Sequence, residues 1–133
     1  MNNEISILKK FKENLILFFD ELISQFPDVG ELIVMRILVK DSFDTKFIMD
    51  NFNHKMNTDN GNAKKMVAER NESFFLEHDI LDLGPENKEK SMYFKKLWRS
   101  GRLDEDDKNT VWDWFDLFIK LGDKYSTALD SNI

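Results

Sequence analysis

Any chemistry in this chain would have to come from few residues. His54 and His78 are its only imidazoles, and imidazole is both a common metal ligand and a general base near neutral pH. They stand on different segments, with no HExxH spacing that would put two ring nitrogens on one ion. We read each as an ordinary polar-face histidine. Two acid-rich stretches resemble calcium loops and fail the pattern. Counting from Asp104 in LDEDDKN, Lys108 takes the fifth ligand position, Asn109 the glycine position and Phe115 that of the bidentate Glu. Counting back from Gly61 in NTDNGN puts Met56 at the first ligand. The acids Asp104 to Asp107 suit a helix N-terminus, where negative charge is stabilised. With no cysteine and only scattered glycines, neither a thiol nucleophile nor a phosphate-cradling loop is available. Asn71-Glu72-Ser73 matches a glycosylation sequon, which we take as accidental. We expect a non-enzymatic protein with no metal and no cofactor.

Two stretches could instead recognise a partner. Lys88, Lys95, Arg99 and Arg102 are spaced by seven, four and three, so they share one helix face if the helix persists to Arg102. Such a row could contact phosphates, with Tyr93 and Trp98 near enough to stack on bases. The competing reading is a solvated face opposite a core stripe of Phe94, Leu97 and Trp98. The stretch TVWDWFDLFIKLGDKY raises the second question. At about 100° per residue, Val111, Trp114, Phe115, Leu117, Phe118, Leu121 and Tyr125 share one broad arc. Asp113, Asp116, Lys120, Asp123 and Lys124 collect in the remainder, with Asp116 and Lys120 one turn apart as an ion pair. The wide apolar arc is core. Trp112 and Ile119 sit at its edge and could dock a partner, as could Phe74 and Phe75 on a more polar helix.

The elements that would position these residues are all helical. Leu8, Phe11, Leu15, Phe18, Leu22 and Phe26 recur at steps of three and four, a helix that Pro27 ends. Asp28 stands three residues before Glu31, a capping-box-like start for VGELIVMRILVK. That segment is apolar nearly all round, which predicts a place in the middle of the bundle. A third helix carries Phe43, Phe47, Ile48, Phe52 and Met56 into the turn-rich NTDNGN. A polar helix is expected over residues 63–81, before the break at Gly84-Pro85. The helix around Trp98 should end at Gly101, and Asp104 should cap the last, with residues 127–133 frayed. The sum is one compact all-α domain over residues 1–133, a bundle of five to six helices. Its first, second and last helices should form the core, joined by the helix around Trp98.

At 133 residues, 41% of them hydrophobic, the chain can bury a core without disulfides. The net charge of -6 disfavours a general polyanion binder. MNNEISILKK carries acid early and no apolar leader core, and no apolar run is long enough for a bilayer. We therefore expect an intracellular chain with no membrane partner. Abundant Asn, Lys, Ile, Phe and Asp reflect a low-GC genome.

FPDVGELIVMRILVKDSF and YFKKLWRSGRLDEDDKNTVWDWFDLFIKLGDKY together resemble small helical proteins of large nucleocytoplasmic DNA viruses. The likeness rests on helix caps and core aromatics, above all Leu97-Trp98, Val111-Trp112 and the helix ending in Lys124-Tyr125. It implies a source, in the host cytoplasm or the virion, and no mechanism. The leading expectation is thus a viral interaction protein that binds a protein partner or a second copy of itself. The alternative is a nucleic-acid-associated protein using the basic row.

Overall fold

A computed structural model describes residues 3–42, 44–78 and 88–131, the side chains of Ser42, 88–91, Tyr93 and Phe94 excepted. Among the described residues the chain is all-α: α1 (Asn3–Gln25), α2 (Gly30–Ile37) running into a π-helical turn (Leu38–Ser42), α3 (Thr45–Ala68), α4 (Glu72–Glu77), α5 (Lys88–Arg99) and α6 (Glu105–Ser131). Phe43 and the stretch 79–87, including the expected end of the polar helix and the Gly84-Pro85 break, lie outside them.

α1 forms for the reason its spacing gives. Phe11, Leu15, Phe18, Phe19 and Leu22 are buried along one face. That face packs on α6, whose Val111, Trp112, Phe115, Phe118, Leu121, Gly122, Tyr125 and Ala128 are buried. The third wall of the core is α3, with Ile48, Met49, Phe52 and Met56. Phe118 is where the three meet. Its ring centroid lies 5.7 Å from Phe11, 5.7 Å from Phe18 and 6.4 Å from Phe52, at interplanar angles of 80–88°. Edge-to-face packing of this kind suits the ring quadrupole.

The expected central place of α2 is therefore corrected. Only Leu32 and Met35 of α2 are buried, and α3 stands where α2 was expected. An apolar circumference did not imply burial all round, because the helix has only eight residues and α1 and α5 cover one side of it. Nor does Asp28 cap α2. The N-cap is Val29, with no side-chain cap bond, because the Asp28 carboxylate is engaged by Arg102 at 2.8 and 2.9 Å.

Residues 63–77 also depart from a single helix. α3 ends in a Schellman motif, with Asn71 N–H donating to Met66 O at 2.9 Å and Arg70 N–H to Val67 O at 3.0 Å. Arg70 takes the left-handed position at φ 55°, where glycine is usual. Its guanidinium forks onto Asp116 at 2.7 and 3.0 Å and stands over the Trp112 ring. Asp116 thus takes Arg70 as its partner, where the sequence suggested Lys120. Asn71, the sequon residue, then caps α4 by accepting from Phe74 N–H at 3.0 Å. The turn expected at NTDNGN is present, as Thr58 to Gly61 leave helical geometry.

α6 starts as expected. Asp107 N–H donates to the Asp104 carboxylate at 2.8 Å, and Asp104 N–H to that of Asp107 at 3.1 Å. This is a reciprocal capping box built from two aspartates. The helix runs through Ser131, with Ala128 buried. Gly122 leaves room for the Asn53 side chain of α3 against α6. A Cβ there would lie 2.1 Å from Asn53 Oδ1, while Asn53 Nδ2 donates to Gly122 O at 3.1 Å.

Two stability predictions follow from this packing. Phe118→Ala should cost about 3–5 kcal/mol, read by urea unfolding, because three helices lose one ring. Gly122→Ala should fail to give the roughly 1 kcal/mol expected of glycine replacement in a helix, because Asn53 must turn away. In an Asn53→Ala background the same change should stabilise by about that amount. Equal effects in both backgrounds would show that the contact does not constrain the helices.

Candidate functional site

The aromatic residues considered for docking fall mostly inside. Trp112 is only 4% exposed and Phe75 only 3%. They meet at 5.4 Å, and Trp98 packs 5.0 Å from Phe75 and 5.4 Å from Trp112. This second aromatic cluster ties α4 and α5 to α6, and Phe115, 5.4 Å from Phe75 and 6.0 Å from Phe118, links it to the main core. The helical wheel placed Trp112 at an edge. α4 and α5 cover that edge, so Trp112 and Phe75 are core side chains of this structure and not surface ones. Ile119 is half-buried against the core. Phe74 is half-buried too, with its ring stacked on His78 at 4.0 Å and 16°. The opposite edge of the wheel is the more open one. There Trp114 is partly exposed, with its Nε1–H donating to Glu21 at 2.6 Å.

The basic row does not form one face. α5 ends at Arg99, and Gly101 turns the chain at φ 80°, so Arg102 leaves the helix. Arg102 forks onto Asp28 and lies over the Phe26 ring. It fastens the α5–α6 connection to the α1–α2 connection. The hydrogen bond from Arg102 holds the Asp28 carboxyl below its ordinary range. Arg99 Nη2 donates to the Leu76 carbonyl at 3.2 Å. Lys95 is half-buried on α5, and the Lys88 side chain lies outside the described set. A phosphate at Arg102 would have to displace an aspartate already held bidentately, which is the stronger kind of ion pair.

Glu72 is a second fixed carboxylate. It accepts from the Trp98 indole at 2.5 Å and from Lys108 at 3.2 Å. The indole bond, followed by Lys108, lowers its pKa against the opposing effect of burial. Among the described residues, no group of three or more His, Asp or Glu side chains is placed to hold a metal ion. No helix among them is long and apolar enough to cross a membrane.

The surface feature that sequence reading missed is on α2. Ile33, Val34 and Ile37 are 42%, 43% and 49% exposed, and they follow one another around the side of the helix opposite Leu32 and Met35. The signal is the run LIVMRILV, apolar but for Arg36, whose nearly full apolar circumference predicts burial. Isolated exposed apolar residues are ordinary; these three form one contiguous set on one helix face. No family model, curated protein or solved structure matches this chain.

The fixed carboxylates predict the response to acid. Glu72 and Asp28 have folded pKa values below their unfolded ones, so their stabilisation is present above the unfolded value. It is lost as pH falls through the lower folded value. Thermal melts should therefore fall by a small amount as the pH drops below about 4, since both carboxylates are exposed. Glu72→Gln, which keeps an oxygen for Trp98 but loses the charge facing Lys108, should show a shallower drop. An unchanged pH profile would place the acid sensitivity elsewhere.

Proposed function

We propose that this chain is a non-enzymatic interaction protein that docks a partner on the outward face of α2. The partner would supply one amphipathic helix with basic flanks. Exposure of Ile33, Val34 and Ile37 together carries this reading. A helix laid against such a face reads it through its own apolar stripe. The charge of the segment that carries the face, residues 30–44, favours basic flanks. Arg36 is already committed to Asp20 at 2.5 Å, and Glu31, Asp41 and Asp44 outnumber Lys40. A second copy is the weaker occupant, since three side chains each under half exposed do not supply the roughly 800 Å² per partner of a stable dimer. The resemblance to giant-virus proteins extends the proposal to a source, with the docking taking place in the host cytoplasm or the virion.

The test uses three designed peptides, titrated by calorimetry. One is a Leu/Lys amphipathic helix, one its Leu/Glu counterpart, and one a Leu/Lys sequence scrambled to destroy the stripe. The Leu/Lys helix alone should bind. Replacing Ile33, Val34 and Ile37 together by Ser should weaken that binding at least about tenfold through lost apolar burial. The melting temperature should hardly move, because these side chains are outside the core. Equal binding of the scrambled peptide, full affinity in the triple variant, or a dimer by light scattering that the triple variant abolishes would each overturn the proposal.

A further inference from the structure

The only two histidines of the chain, far apart in sequence, line one cavity of about 320 Å³. That volume is at the small end of the range for ligand sites, roughly 300–1,000 Å³. Its floor is apolar, built from Met56 and Ala63, both buried. One wall is the Phe74–His78 stack, at 4.0 Å between ring centroids and 16° between planes. His54, Lys55, Asp59 and Asn62 bring the polar groups.

The backbone at this cavity is unusual. Asp59, Asn60 and Gly61 all take left-handed geometry in succession, at φ 53°, 59° and 77°. Glycine adopts this freely, but aspartate and asparagine do so at a cost, and such strain concentrates where a ligand is held. After the Thr58 hydroxyl closes the last turn on the His54 carbonyl, Asp59 and Asn62 line the same cavity as His54 and Phe74. His78 is oriented as well. Its Nδ1 lies 3.0 Å from the Phe74 carbonyl, which can only accept, so Nδ1 carries the proton and the ring plane is fixed beside Phe74.

We propose that this cavity binds a guanine mononucleotide. The flat wall offers a stacking surface for a base. Asp59 has an acceptor-only carboxylate, which suits the two adjacent donors of the guanine edge, N1–H and the exocyclic amine. The Asn62 carboxamide can donate to the neighbouring O6. His54, on the last turn of helix before Thr58, supplies a ring N–H donor for the phosphate. Adenine fits this arrangement less well, because its N1 is an acceptor and would face the Asp59 carboxylate.

Proton NMR tests this directly. With two imidazoles in the chain, both ring signals can be assigned from His54→Gln and His78→Gln. Titration with GMP should move both signals saturably, that of His78 upfield as a base stacks beside it. AMP should bind at least about tenfold more weakly, and ribose 5-phosphate should not shift His78 upfield. Phe74→Ala should weaken GMP binding by about ten- to a hundredfold, the range for one stacked base. Because Phe74 also touches the core, Asp59→Gly is the cleaner variant. It relieves left-handed strain, so the protein should melt no lower, yet it removes the edge acceptor and should weaken GMP at least about tenfold. No response to GMP would overturn the proposal. So would identical shifts with ribose 5-phosphate, equal binding of AMP, or wild-type affinity in Asp59→Gly.

Discussion

The ring of Phe118 is the contact on which the rest of the packing depends. It is the meeting point of α1, α3 and α6, fully buried and touched edge-on by rings from all three helices. A phenylalanine at this place fixes how close the helices stand, and the surrounding residues follow from that spacing. Gly122, one turn further along α6, has no room for a side chain because α3 presents Asn53 there. Phe115, one turn earlier, carries the same packing outward to Phe75, Trp98 and Trp112. The short helices α4 and α5 have little intrinsic stability at six and twelve residues. They are held by that second cluster and by the Glu72 carboxylate, which receives the Trp98 indole and Lys108 together.

Helix type and most helix starts were legible because they are local. The 3.6-residue stripe of α1 and the Asp104–Asp107 cap each lie within one short window. What depended on distant partners was not legible. Asp28 looked like a cap because Glu31 follows it, but Arg102, 74 residues away, takes its carboxylate. Asp116 looked paired with Lys120, but Arg70 reaches it across the bundle. The break at Arg70 was hidden for a different reason. A left-handed helix end is announced by glycine or asparagine, and here arginine holds the position.

Apolar composition alone could not decide which helix is central. α2 and α6 are both rich in large apolar side chains, yet their fates differ. α6 is 27 residues long and packs on α1 and α3, with Phe75 and Trp98 covering its Trp112 edge. α2 has eight residues and, among the described residues, packs on α1 and α5. Its second apolar side therefore remains in water, where β-branched side chains gain nothing for the fold itself. An exposed Ile-Val-Ile face is a standing aggregation hazard. Retaining it is easier to understand if something covers it, which is the physical ground for reading α2 as a docking element.

The two left-handed departures from helical geometry make a useful contrast. At Arg70 the strained residue is also the one that compensates. Its guanidinium fork on Asp116 and its position over Trp112 tie the turn to α6, and the motif closes two backbone carbonyls of α3. The strain there serves the fold and requires no ligand to account for it. At Asp59 and Asn60 the balance differs. Both residues are exposed, and Asp59 lines a cavity. A glycine pair would make the same turn with less strain, but it would remove the carboxylate that Asp59 brings to the cavity wall. Strain that secures a packed turn is explained by packing. Strain that holds a polar group at the mouth of a cavity, opposite a stacked aromatic pair, is explained by what that group can bind.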